Sequence, residues 1–280
     1  MTVRERGIRA ARGAAREMLK RWGVKKPEDI RIEAIAKAEG IRVIEGPLGG
    51  ARGRLSAGPN PLIRIAEDTI LDGARRFTLA HEIAHHVLEH PITCAEGACA
   101  SARENKTADP NQRDYEVEAN VFASELLMPR HLVAPHCEGA MPSLEIPRAI
   151  AFEFATSIPA SAIRYVQLTR DRCAAVYSER GKIEWAPNSR GFKARIPKGR
   201  PLPRGSMAMD CVRSADVDDR ARRMDASIWL DTKENVEIVE HSATVSEAGG
   251  VITLLWVPER SAARLWKRTE TGREVNHHSD

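Results

Sequence analysis

The chain has 280 residues, enough for roughly two domains with well-buried cores, and its 42% hydrophobic and 29% charged content is that of an ordinary globular protein. A net charge of +4 is too mild to demand a nucleic-acid partner, and five cysteines, an odd number at low density, argue against a disulfide scaffold and for reduced thiols in a cytoplasm. No apolar run approaches the ~18 residues of a membrane span, and Arg4, Arg6, Arg9, Arg12 and Arg16 interrupt the N-terminus where a secretory core would lie, so a cytoplasmic protein is expected.

Residues 3–22 carry an apolar stripe at helical spacing (Ile8, Ala11, Ala15, Leu19, Trp22) opposite a basic face expected to be solvated. Pro27, Glu28 and Asp29 predict the opening of a second helix, through Ile32, Ile35 and Ala36, that ends at Gly40. A short strand is predicted at 41–44. Residues 52–56 and 62–66 flank Gly58-Pro59-Asn60-Pro61, the composition of a hairpin turn. The edge of this hairpin is either structural or a template for an extended peptide, with neither reading favoured.

The next helical run starts near Asp72, a candidate N-cap, and is stopped by Pro91. It contains HEIAHHVLEH, His81 to His90. Residues four apart are about 400° of rotation apart, so His81 and His85 share a face, and two imidazoles so placed can reach one zinc ion. Glu82 lies beside that face, suited to take a proton from a water activated there. His86 and His90 lie roughly 140° and 180° from His81 and cannot complete the site from the helix.

Residues 92–113 predict a polar loop holding Cys94 and Cys99, whose spacing suits loop thiols better than a second metal shared with His136 and Cys137. A helix from about Asp114 to Met128 follows, ended by Pro129. On it Glu116 and Asn120 share a face, while Glu118 is rotated about 200° from Glu116, so only one glutamate can be a ligand. Glu116 is chosen because the small Ala119 and Ala123 lie near its side, where the metal helix must approach. Two histidines and a carboxylate form a standard catalytic zinc set, and Asn120 is placed to fix a ligand histidine. The metal is expected to be zinc, with manganese as the alternative. Tyr115 and His131 are near in sequence, and the oxyanion donor is left open.

The stretches from Arg75 to His85 and from Glu116 to Pro129 resemble, in order, two signatures of the ImmA/IrrE metallo-endopeptidases. The resemblance implies zinc ligands at His81, His85 and Glu116 and a catalytic base at Glu82. It also implies a zincin-like domain of helices with a small edge-strand sheet, and an intracellular protease that cleaves a helix-turn-helix repressor to release stress-response or mobile-element genes.

In the rest of the chain, one short helix is predicted at 149–155 and a second from Pro159 through Leu168, capped by Ser157. The pair resembles helix-turn-helix geometry, but only Arg164 and Gln167 could read bases, so direct DNA binding is not the favoured reading. From Arg172 onward strands are predicted at 173–177, 182–186, 226–230, 236–239 and 251–257, with a helix over 206–212. The resemblance implies a GAF-like sensory domain here, and Trp185, Trp229 and Trp256 are expected in its core rather than in a ligand cage. The whole is expected to be α+β, divided into a metallopeptidase domain at 1–138, a helix-turn-helix-like segment at 139–170, a C-terminal α/β domain at 171–270 and a polar tail at 271–280. The rival to an enzyme is an antirepressor that binds its partner stoichiometrically and uses zinc for structure, although such a site has no need of Glu82.

Overall fold

The computed structural model describes residues 2–67, 72–91, 112–214, 218–246 and 249–271. Cys94 and Cys99 lie outside them, and so does the end of the tail. The chain divides into two units, residues 1–133 with 151–157, and residues 134–150 with 158–280, so the predicted helix-turn-helix-like segment is shared between them.

In the first unit, α1 (Val3–Arg21) opens with a capping box in which Thr2 and Glu5 satisfy each other's backbone N–H groups. Its apolar stripe is buried at Ala11, Ala15, Met18 and Leu19, while Trp22 stays 41% exposed. The second predicted helix is interrupted: Pro27–Asp29 is a single 3-10 turn, and α2 (Ile32–Ala38) starts after it. The Asp29 carboxylate accepts the Lys25 and Lys26 N–H groups, which closes that turn on itself before the helix begins. Strands β1 (Arg42–Gly46), β2 (Gly53–Ser56) and β3 (Leu62–Ala66) form a sheet in the order β1-β3-β2. β2 and β3 are the predicted antiparallel hairpin, β1 runs parallel to β3, and β2 is an edge.

Helices α3 (Asp72–Val87), α4 (Gln112–Leu127) and the short α5 (Arg130–Val133) complete the unit, with α3 packed between the sheet and α4, and α1 on α4. Ala80, Ala84, Ala119 and Ala123 are fully buried, and such small residues let helix axes approach closely. Two arginines ahead of the HExxH motif fix α3 in place. Arg75 is bonded to Glu33 of α2 and Glu45 of β1, and Arg76 donates to the Ile30 carbonyl.

The helix α6 (Glu145–Glu153) starts four residues earlier than the sequence suggests. In the second unit, α7 (Ile158–Leu168) packs on β4 (Cys173–Glu179). With β5 (Lys182–Trp185), β6 (Arg222–Asp225), β7 (Glu237–Ser246) and β8 (Gly250–Trp256), β4 forms an antiparallel sheet in the order β5-β4-β8-β7-β6. Helix α8 (Met207–Arg213), capped by Ser206, packs on β7 and β8. The core gathers Val176, Phe192, Trp229, Ile238 and Leu255, with Leu265 and Trp266 of α9 (Glu259–Thr271) against it.

One expectation fails in this unit. Residues 226–230 are not a strand: the Asp225 carboxylate accepts the Ser227 N–H and starts a 3-10 turn over Ala226–Ile228, and the strand lies just before it. Helix α9, which is not among the elements predicted from sequence, runs through Thr271, where the polar tail is expected to begin. Its Ala262, Leu265 and Trp266 sit at helical spacing between charged residues. Of the tryptophans, Trp229 is 3% exposed and donates to Glu240, while Trp185 is half-buried and stacks on Tyr177.

Candidate metal centre

Helices α3 and α4 bring His81, His85 and Glu116 together, as sequence reasoning grouped them. The two histidine Nε2 atoms are 3.1 Å apart, and the Glu116 carboxylate lies 3.2 Å from His81 Nε2 and 3.6 Å from His85 Nε2. Corners of a tetrahedron with arms of about 2.0–2.1 Å are roughly 3.3 Å apart, so the three donors occupy three corners of a zinc-sized site. Facing ring nitrogens at 3.1 Å can be held only by a proton or a cation between them, which is the second reason the set fits a metal. All three are half-buried, enough to weaken solvent competition while leaving a way in.

Protonation in the metal-free protein is divided unequally. Burial, reinforced by the nearby His81, pushes His85 down to about 4, so it presents a lone pair at neutral pH. Burial would lower His81 too, but its bond to Glu116 and the charges of Glu82 and Glu116 outweigh that and raise it. His81 therefore holds a proton more firmly than a free imidazole does, with Glu116 as its partner, and a cation would replace that proton. On the far side of His81, Nδ1 is 3.2 Å from Asn120 Oδ1. An amide oxygen can only accept, so this bond sets Nδ1–H and leaves Nε2 facing Glu116 and His85.

Glu82 is held beside the donors under the edge strand. Burial raises its pKa, opposed by His81 and by a hydrogen bond from the Leu55 N–H of β2. The strand can come this close because residue 53 is glycine: a Cβ there would lie 2.5 Å from Thr78 Cγ2 and 3.0 Å from Glu82 Cγ and Oε1. Gly53→Ala is thus expected to displace Glu82 or β2, lowering kcat severalfold or more on any cleaved substrate while zinc affinity stays near wild type. Parallel kinetics and metal titration on the same preparation check this.

Sequence reasoning missed two residues. His90, set aside on helical geometry, is no ligand but bonds to His85, with the Nδ1 atoms 3.1 Å apart. The helix does not run on to it. α3 ends at Val87, Glu89 takes the left-handed conformation at φ 52°, and the His90 N–H closes on the His85 carbonyl. That reversal swings His90 back beside the metal face. The sequence offered only Pro91 as a sign that the helix must end nearby. Glu118 points away from the donors, as predicted, yet it meets His90 Nε2 at 3.2 Å. Tyr115 packs its ring on His90, and His131 is exposed.

A second cluster, Glu145, Asp219 and His241, is not a metal site of the same kind. His241 Nδ1 accepts the Leu144 N–H and its Nε2 faces Asp219, so both ring nitrogens are used. Arg148 is bonded to both carboxylates, a compensated network. Arg164, one of two residues that could have read DNA from the second helix, is 3% exposed, which removes it from any base-reading surface.

A helix bearing HExxH, a carboxylate from a neighbouring helix and an edge strand over Glu82 form the arrangement expected of a metallopeptidase. Residues 36–166 match the IrrE N-terminal-like domain of the M78 peptidases, which supports the resemblance to the ImmA/IrrE family over that segment. A Mycobacterium tuberculosis transcriptional regulator has a similar fold: TM-score 0.56 at 14% identity, over 97% of this chain and 92% of that one. No curated protein sequence matches this one significantly. Among the described residues no helix is long and apolar enough to cross a membrane.

Proposed function

We propose that this chain is a zinc-dependent endopeptidase that cleaves a regulatory protein, most simply a repressor with a helix-turn-helix domain. The observation that carries the reading is Glu82, held beside the three-donor set although a structural zinc site would have no use for it. A cation held by His81, His85 and Glu116 would polarise the scissile carbonyl and acidify the attacking water. Glu82 takes the proton of that water and passes it to the leaving amine, and its raised affinity for protons suits both steps. Asn120 keeps His81 in the ligand tautomer. Among the described residues β2 is the edge strand next to Glu82, and an extended peptide adding to it would bring its backbone across the metal face. The similarity to a transcriptional regulator supports a regulatory setting, and the five-stranded antiparallel sheet of the second unit, covered by helices, supports a GAF-like sensory role for it.

The test is incubation of the protein, loaded with zinc or manganese, with a purified helix-turn-helix repressor encoded beside it. Discrete fragments at substoichiometric protein are expected. A stable one-to-one complex with intact repressor would favour the stoichiometric antirepressor instead.

A further inference from the structure

Beyond the three donors, a second line of side chains runs outward from the metal face. His85 presents Nε2 to His81 Nε2 at 3.1 Å and to Glu116 at 3.6 Å, and Nδ1 to His90 Nδ1 at 3.1 Å. His90 Nε2 faces the Glu118 carboxylate at 3.2 Å, with the two side chains only 4% and 18% exposed. Hydrogen-bond chemistry orders this chain in one direction. An ionised carboxylate only accepts, so His90 carries its proton on Nε2. A neutral His90 then offers a lone pair at Nδ1, and His85 must donate its Nδ1–H to it. That leaves the lone pair of His85 Nε2 pointing at Glu116 and His81.

The outer end of the line is built into the helix packing. Glu118 lies on the backbone of Gly7 in α1: a Cβ at residue 7 would overlap its Oε1 and come within 2.5 Å of its Cδ. Gly13, on the exposed side of α1, has nothing within 4 Å of where its Cβ would stand. Glycine in a helix interior costs roughly 0.5–1 kcal/mol relative to alanine, and at residue 7 the space it leaves holds the carboxylate. Tyr115 closes the other side, its ring centroid 4.8 Å from that of His90.

We propose that Glu118 and His90 are positioning residues that lock His85 in the metal-binding tautomer, and that Gly7 of the N-terminal helix provides the seat for Glu118. This rests on the reading of His81, His85 and Glu116 as a metal site. It adds that the site depends on α1, which precedes the residues matching the family. His81 is served by one amide and His85 by a two-step relay, so the two ligands are oriented independently.

The experiment is a zinc-affinity titration against a chromophoric chelator, using full-length His90→Phe, Glu118→Met, Gly7→Ala and Gly13→Ala, with His81→Ala as reference. His90→Phe keeps a ring against Tyr115 but accepts no hydrogen bond, and Glu118→Met keeps length without charge. Both, and Gly7→Ala, are expected to weaken zinc binding about 10- to 100-fold, the usual loss for an outer partner of a ligand histidine. Gly13→Ala is expected to bind as the wild type does. Nitrogen-15 NMR of the zinc-loaded wild type should show His85 protonated at Nδ1 and His90 at Nε2. The melting temperature of each metal-free variant separates lost packing from lost positioning, since a purely structural role would lower it and leave zinc affinity alone. Tight wild-type binding matched within twofold by His90→Phe and Glu118→Met would overturn the relay and spare the metal site. Wild-type binding no tighter than that of His81→Ala would overturn both.

Discussion

Glu82→Gln is expected to leave the fold and zinc content intact and to reduce cleavage about 10²- to 10⁴-fold, the range a general base contributes. The glutamine fills the same space and can still accept the Leu55 N–H through its amide oxygen, so β2 keeps its position over α3. What it cannot do is take a proton. Metal analysis, the melting temperature and single-turnover cleavage of the partner, made on one preparation, separate these effects. Cutting at the wild-type rate by the variant would show that Glu82 is not the base. A variant that lost both zinc and activity would place Glu82 in the metal-holding set instead.

Glu116→Ala should have the largest effect on metal retention. It removes the only donor of the three that comes from α4, leaving two histidines on one helix face that cannot hold a cation as a three-donor site does. Loss of bound zinc after dialysis, with a regular α-helical spectrum, is the expected result. The same titration carried across pH gives a second signature. His81 is raised in the metal-free protein, and zinc must displace its proton, so apparent affinity should fall as pH drops through that raised value, starting above the ordinary histidine value. The stability effect has the opposite sign. The His81–Glu116 proton bond supports the metal-free fold below the unfolded histidine pKa, and that support is lost as pH rises through the folded value. Zinc would then take over the same edge, and in Glu116→Ala both trends should flatten.

Much of the inner site was legible because α-helical geometry is rigid. Spacings of four residues fix which side chains share a face, and that rule grouped His81 with His85 and Glu116 with Asn120; in the structure the two histidines meet, and Glu116 and Asn120 both reach His81. The hairpin was legible from its turn residues and the alternation of apolar positions in β3, and α1 from its buried alanines. The same rule could not place His90 beside His85, since periodicity holds only while the helix continues, and a left-handed Glu89 has no sequence signature of its own. Likewise the stretch at 226–230 has strand-like residues, but the bond from Asp225 to the Ser227 N–H turns the chain first.

By itself the sequence determined which residues can form a metal face and which carboxylate stands beside it, because both depend on contacts within one turn of helix. The tertiary structure decided everything that joins separate segments. It placed Glu116 of α4 3.2 Å from His81 of α3, set Gly53 of β2 against Glu82, and seated Glu118 on Gly7 of α1. It also buried Arg164, a residue the sequence had left free to touch DNA. Each of these depends on packing between elements far apart in the chain, which local spacing does not encode.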